Sequence, residues 1–212
     1  MQTWAIVVAA GSGARFGGAK QFRKVGADRL VDRSVQSATR SCDGVVVVLP
    51  SDVTWDGPAV TAAVVGGATR AESVRSGLAA VPEGVDIVLV HDAARPLASD
   101  ALFAAVIAAV QDGADGAVPG LAISDTIKRV ADDRVLETIS RDGLVTVQTP
   151  QAFRAGCLRA AHAEGAEGTD DAALVEAVGG TVVVVPGERT NLKVTGPDDL
   201  ALVEALLARE TE

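Results

Sequence analysis

Trp4-Ala-Ile-Val-Val-Ala-Ala-Gly-Ser-Gly-Ala-Arg15-Phe-Gly-Gly-Ala-Lys20-Gln-Phe22 is an apolar run that passes directly into a glycine-rich loop bearing two long cations. The run has the length and continuity of a strand buried on both faces. Small residues let backbone N–H groups approach a ligand, and Arg15 and Lys20 add full positive charges a few positions on. A strand ending in such a loop is suited to gripping a polyphosphate.

Outward from this stretch, strands and helices are predicted to alternate. Trp4–Ala9, Val45–Leu49, Val64–Val65, Ile87–Val90, Ala117–Val118, Val145–Thr149 and Val182–Val185 read as strands. Between them, Leu30–Thr39, Ala71–Ala80, Ser99–Val110, Ala155–Glu164, Asp171–Val178 and Asp198–Ala208 read as helices, with Ser99 as an N-cap. The order implies an α/β fold: a Rossmann-like, three-layer arrangement around a mainly parallel sheet. One segment breaks it. Thr126 to Ile139 reads as two strands around an Asp132-Asp133 turn, a protruding β-hairpin arm. Ligands of such sheets bind beyond the carboxyl ends of the strands, so the loops after Ala9, Val65, Val90 and Val118 are expected to share one site.

The bulk numbers narrow the function. With 48% hydrophobic residues over 212 positions a sizeable core can form, and no apolar run approaches the ~20 residues of a membrane span. No cationic region precedes the first apolar segment, so no export signal is expected. Cys42 and Cys157 read as two reduced thiols of a cytoplasmic protein rather than a disulfide or metal site. A net charge of −9 and 3% aromatics with no Tyr argue against nucleic acid as a partner. Yet residues 1–40 hold seven Lys/Arg against two acids, a basic opening to an acidic chain. Such a basic opening suits an enzyme of small anions, although Arg29, Arg33 and Arg40 are expected on a solvated helix face.

The remaining motifs each have two readings. Gly11 to Gly17 also fits a dinucleotide loop, but Gly17-Gly18 breaks the helix that such a loop should open, and the acid after the second strand, Asp52, sits beyond Pro50. Gly66-Gly-Ala-Thr-Arg70-Ala-Glu-Ser73 is either a base-reading loop or a turn with Thr69 capping a helix. In Val90-His91-Asp92-Ala-Ala-Arg95-Pro96, Asp92 suits a hydroxyl or a metal and Arg95 a phosphate, while His91 reads as a packed structural residue. His162 is expected at the surface of a helix. Asp125 and Thr126 suit polyol hydroxyls, and Lys128 and Arg129 read as solvated strand charge. Asp170-Asp171 is a metal pair or a helix cap. Lys193 is expected in a short strand-like segment, as a ligand or a snorkelling surface residue.

Taken in order, these motifs resemble the 2-C-methyl-D-erythritol 4-phosphate cytidylyltransferase family. The carrying residues are Ala9-Ala-Gly-Ser-Gly-Ala-Arg15, Lys20-Gln21, Gly66-Gly-x-x-Arg70-x-x-Ser73-Val74, Val90-His-Asp-Ala-Ala-Arg-Pro96, Asp125-Thr126-x-Lys128, Arg141-x-Gly-Leu, Thr149-Pro-Gln151, Thr169-Asp170 and Asn191-x-Lys193-Val-Thr195. The ribitol-5-phosphate cytidylyltransferases share most of them. The resemblance implies one nucleotidyltransferase domain over residues 1–212, with an arm at about 125–145 reaching across a homodimer. It implies CTP as co-substrate and a divalent cation, Mg²⁺, without naming its ligands. By position, Arg15 and Lys20 match transition-state stabilisers, and Lys193 joins them as catalytic. CTP would be held by Ala9, Ala10, Gly11, Ser12, Gly13, Gly67, Ala68, Ser73, Asp92 and Ala93. Asp92, Arg95, Thr126, Arg141, Thr149, Thr169 and Lys193 would hold the polyol phosphate, some from the partner. The chain departs from the family between Arg15 and Lys20, where only Phe16-Gly-Gly-Ala19 intervenes and Ala19 stands in place of a proline. Two other readings stay open: a nicotinamide-dependent oxidoreductase and a catalytically silent CTP-binding protein.

Overall fold

The computed structural model describes residues 1–11 and 18–210. Its centre is β1 (Thr3–Val8), paired in parallel with β4 (Gly44–Leu49) on one side and β6 (Ile87–Asp92) on the other. β5 (Ala62–Val65) extends the sheet beyond β4 in the same direction. Every residue of β4 and β6 is buried, as a strand covered by helices on both faces requires.

Alternate residues of these strands serve two cores, the period-2 alternation of the pleat. On one face, Ala5, Val7, Val45, Val47 and Leu89 pack against α1 (Leu30–Ser41) and α3 (Asp100–Gln111). On the other, Ile6, Val46, Val48, Val88 and Val90 meet α2 (Arg70–Ala80), α4 (Ala155–Ala161) and α5 (Asp171–Ala177). The close seat of α2 depends on Gly77, where an added Cβ would lie 2.5 Å from Ile6 Cγ2. Three layers around a mainly parallel sheet match the sequence reading. Ser99 caps α3 by accepting from Leu102 N, as expected, and Thr69 caps α2 by accepting from Glu72 N.

Beyond β6 the sheet changes direction. β11 (Gln151–Arg154) lies antiparallel between β6 and β7 (Gly116–Ala122), and β10 (Val145–Val147) pairs with the far end of β7. β12 (Val182–Pro186) flanks the other side of β7 in parallel. The sequence reading missed β11 and ended the preceding strand two residues late. It also missed a small hairpin of β2 (Lys24–Val25) and β3 (Asp28–Arg29), which α6 (Pro197–Glu210) covers in a third apolar cluster of Val25, Leu30, Val194 and Val203. The arm is β8 (Ile127–Ala131) and β9 (Arg134–Ile139), joined by Asp132 and Asp133 at φ 47° and 59°. Both therefore occupy the left-handed region that tight hairpin turns use and Asp tolerates.

Two charge assignments are corrected. Arg29 is not solvated: it occupies the N-cap position of α1, where its N–H donates to Asp32, and its side chain pairs with Asp32 at 2.7 Å and Asp56 at 2.6 Å and lies 5.5 Å from the Trp55 ring centre. His162 is not at the surface but 4% exposed, because α4 ends there and turns the ring inward onto α5. Cys42 and Cys157 are free, and burial with nearby Asp43 pushes the Cys42 thiol up to about 12, leaving it protonated and unreactive.

Candidate active site

Three strand ends and one returning loop converge at the carboxyl edge of the sheet. After β1 the chain continues through Ala9, Ala10 and Gly11, with Ala9 N donating to Val48 O. Gln21, from a single 3₁₀ turn at Lys20–Phe22, is buried and donates through Nε2 to Ala9 O at 2.6 Å and Gly11 O at 2.9 Å. It clamps the start of the glycine loop from beneath. Ser12, Gly13 and Arg15 lie outside the described residues. The sequence reading quoted Gln21 beside Lys20 but gave it no task, and the adjacent cation was the only signal. Replacing Gln21 by Leu orphans two carbonyls at ~1–3 kcal/mol each if they stay dry and frees the loop entrance. We expect KM for a nucleotide bound there to rise about tenfold in initial-rate measurements; an unchanged KM would contradict this clamp.

The loop after β5 is held from within. Ser73, 3% exposed, donates to Thr69 O at 2.9 Å and accepts from Gly67 N at 3.2 Å. Glu72 accepts from Ala68 N at 2.6 Å and Thr69 N at 3.1 Å. Gly66 must be glycine here, since a Cβ would sit 2.4 Å from Ala10 Cβ. That approach brings the two glycine loops into contact. Gly67 and Ala68 stay exposed.

The end of β6 supplies the charge. Asp92 is 8% exposed, and Lys193 Nζ lies 2.6 Å from its Oδ2. Arg70 Nε is 3.6 Å from Oδ1 and Arg95 Nε 4.0 Å from Oδ2. Burial pushes this carboxyl up, but Lys193, Arg70 and Arg95 outweigh it and hold it well below the usual carboxylate range. One anion thus anchors three cations, leaving net positive charge. Ala93 is buried beside it, its N–H on Val8 O.

His91 is the packed structural residue expected. It is fully buried, 5.3 Å from the Phe103 ring centre. Its Nε2 faces Arg95 O at 3.2 Å and must donate, so Nδ1 accepts the Thr149 hydroxyl at 3.1 Å. Burial lowers its pKa to about 4, and Arg95 adds to this, so the ring is neutral at pH 7. The same Thr149 oxygen accepts from Asp92 N at 3.0 Å. Thr149 is therefore part of the frame that fixes Asp92.

Lys193 arrives on an irregular segment between β12 and α6, not on the strand-like segment expected. No ladder holds it; side chains and turns do. Asn191, fully buried, donates to Thr149 O at 2.9 Å and accepts Arg95 Nη1 at 2.8 Å on its carbonyl. Val194 N donates to Ala94 O. Asp199 accepts from the Thr195 hydroxyl, Thr195 N and Gly196 N at the start of α6, and its carboxyl is lowered by these bonds, by the hydroxyl most, and least strongly by the charge of Lys20. Val194 packs with Val25, just after the Lys20–Phe22 turn, in one apolar cluster, so that turn and the Lys193 segment lie on the same side of the molecule.

Not every expected residue joins this cluster. Thr126 and Arg141 lie exposed at the root of the arm, Arg141 donating to Ser124 O. Thr169 is exposed just before Asp170, which caps α5 by accepting from Ala173 N. Asp171 turns inward instead, so the twin acids are not a metal pair. β7 runs on past Val118 to Ala122, so its loop enters the arm rather than the cleft. Arg70 was part of a quoted motif but carried no assigned role, because its two carboxylate partners are far away in sequence.

Residues 3–209 match the family model for IspD, 2-C-methyl-D-erythritol 4-phosphate cytidylyltransferase. The chain belongs to this family. It is 48% identical to the 2-C-methyl-D-erythritol 4-phosphate cytidylyltransferase of Frankia casuarinae, with 97% of this chain and 81% of that protein aligned. For the enzyme of that name from Streptomyces avermitilis the identity is 43%, covering 98% and 92%. The chain also matches a bifunctional IspD/IspF enzyme of Clavibacter michiganensis at 47% identity, spanning 54% of that protein's length. Among solved structures, the 2-C-methyl-D-erythritol 4-phosphate cytidylyltransferase of Thermus thermophilus superimposes with a TM-score of 0.85 at 36% identity, covering 96% and 98%. The resemblance, the fold class and the enzyme class expected from sequence are borne out.

Proposed function

We propose that this chain transfers the cytidylyl group of CTP to 2-C-methyl-D-erythritol 4-phosphate, releasing pyrophosphate, as a step in isoprenoid precursor synthesis in the cytoplasm. Family membership supports the reaction. The observation that carries the site is the Asp92–Lys193–Arg70–Arg95 cluster, which shares an edge of the sheet with the glycine loop and Lys20.

A phosphate oxygen of the polyol attacks the α-phosphorus of CTP in line. The new P–O bond forms as the bond to the β-phosphate bridging oxygen breaks, and pyrophosphate takes the electron pair. The nucleophile is already an anion, so no general base is needed, and His91, neutral and buried, serves only as frame. What must be overcome is repulsion between two anions and the charge gathering at the α-phosphate; prepositioned cations act on both. Arg15 and Lys20 face the triphosphate. Lys193, held by Asp92 yet 41% exposed in its side chain, keeps a free face for the incoming phosphate, and Arg95 lies beside it. Asp92 and Ala93, with the loops at Ala9–Gly13 and Gly67–Ser73, border the nucleotide.

Among the described residues no three His, Cys, Asp or Glu side chains converge as a metal cage, and Asp92 is already ringed by cations. The Mg²⁺ of this reading would therefore be held mainly by the substrate phosphates and water rather than by a protein cage. Bound there, it supplies neutralising charge.

The assay is pyrophosphate release from CTP with methylerythritol phosphate or ribitol phosphate, with and without Mg²⁺. We expect Mg²⁺-dependent release with the first. Release with ribitol phosphate alone would move the substrate to the related family, and none with either would leave a CTP-binding protein.

The arm supports a homodimer. Val130 and Val135 pair across its strands at 60% and 61% exposure, and Leu136 is exposed to 60%, an apolar surface that a lone hairpin would not keep in water. A second copy covers it and receives Thr126, Arg141 and the arm root at its own site. Sedimentation should give a dimer, and Val130→Asp with Val135→Asp, placing like charges opposite each other, should give monomers with at least about tenfold lower activity. A dimer that survives the double substitution would contradict this.

A further inference from the structure

Arg70 joins two carboxylates, only one of which belongs to the cluster described above. Its Nη1 lies 2.7 Å from Asp171 Oδ2 and its Nε 3.6 Å from Asp92 Oδ1. Asp171, the first residue of α5, is fully buried. Its other oxygen accepts from His162 Nε2 at 2.9 Å, and Nδ1 of that buried ring has no hydrogen-bond partner. The reaction as derived uses neither residue. Burying a carboxylate is costly unless it is paired and hydrogen-bonded, and here the pairing partner is the same guanidinium that faces Asp92.

We infer that Asp171, braced by His162, is a positioning residue for Arg70, and that through Arg70 it keeps Asp92 Oδ2 available to Lys193. A guanidinium presents its N–H groups in a rigid planar fork. With Nη1 tied to Asp171, the fork meets Asp92 on Oδ1 at 3.6 Å, while Oδ2 is held by Lys193 at 2.6 Å with Arg95 Nε farther off at 4.0 Å. Released from Asp171, it would close on both oxygens of Asp92, the bidentate arrangement that arginine and carboxylate favour, and displace the ammonium. His162 secures the far side. By donating to Oδ1 it fixes the rotation of the Asp171 carboxylate, so Oδ2 points at Arg70. The position of Lys193 is thus set partly by two buried groups on α5 and at the end of α4.

This deepens the cytidylyltransferase reading and rests on it. The test is steady-state kinetics of Asp171→Asn, His162→Phe and His162→Gln, varying CTP and methylerythritol phosphate in turn, with melting temperatures alongside. Wild-type turnover tests the underlying reading separately; without it, both fall. With it, Asp171→Asn and His162→Phe should raise KM for the polyol phosphate about tenfold or more, since a misplacement of order 1 Å costs up to ~10²-fold, while KM for CTP stays within about twofold. His162→Gln keeps an N–H donor and should recover most of that loss. A merely structural role predicts lower melting temperatures and a smaller active fraction with both KM values unchanged. That pattern, a parallel rise in KM for CTP, or Phe and Gln behaving alike would overturn the inference. If Asp171→Asn fails to fold, the Phe and Gln pair at His162 decides it.

Discussion

Lys193→Ala should lower turnover by about 10²–10³-fold while the protein melts close to the wild-type temperature. The magnitude follows from losing one preorganised charge contact to the reacting phosphates, ~2.7–4 kcal/mol by analogy with a lost oxyanion-hole donor. The thermal result follows from the surroundings. Lys193 is 41% exposed in its side chain, and Asp92 keeps Arg70 and Arg95 when the ammonium is gone. A partly exposed ion pair contributes ~1 kcal/mol or less to stability, so catalysis and stability should separate cleanly. Pyrophosphate release measured beside a melting curve checks both, and near-normal turnover would remove Lys193 from the chemistry.

Asp92→Asn should fail on both counts. Asn keeps the shape but removes the only negative charge that Lys193 and Arg95 share in the cluster; Arg70 retains Asp171. Breaking a buried ion pair from one side costs ~3–5 kcal/mol, so the melting temperature should fall by roughly 10 °C for a chain of this size. Turnover should fall at least as far as in Lys193→Ala, because the ammonium loses its anchor. The pH dependence carries a sign. The Asp92 carboxyl is held below its ordinary value of 3.8 in the folded protein. Its contribution to stability is therefore complete above that value and is lost as pH falls below it towards the folded pKa. The stability gap between wild type and Asp92→Asn should be widest at neutral pH and narrow below about pH 4. A gap that persisted unchanged in acid would mean that the cations do not stabilise this carboxylate.

Much of this arrangement is legible in the chain itself, for physical reasons. Val45 to Leu49 has no polar member, so it has to be covered on both faces. Ser99 before an apolar helical period has one economical use, as a cap. Asp132-Asp133 between alternating residues marks a turn because Asp tolerates positive φ. Gln151–Arg154 was opaque: four residues after a proline look like loop, and only their partners in β6 and β7 make them a strand. Arg29 looked solvated because Asp56 and Trp55 come from a distant loop. His162 looked exposed because the helix appeared to run on, whereas it ends there and folds the ring under α5. Lys193 does reach Asp92, but its setting is not the strand-like segment expected, since that segment is held by Asn191, Asp199 and the turn after β6 rather than by strand pairing. Pattern reports what a residue does with its neighbours in sequence. Apart from Arg95 and His91, the polar frame around Asp92 comes from Arg70, Thr149, Asn191 and Lys193, which are distant in sequence, and pattern is silent there.

The most direct test of the convergent-cation account is a crystal structure of the enzyme with a non-hydrolysable CTP analogue, Mg²⁺ and methylerythritol phosphate. The account predicts Arg15 and Lys20 on the triphosphate, with Lys193 within hydrogen-bonding distance of the acceptor phosphate, whose oxygen lies in line with the α-phosphorus. A triphosphate bound away from Lys20, or an acceptor phosphate out of reach of Lys193, would contradict it.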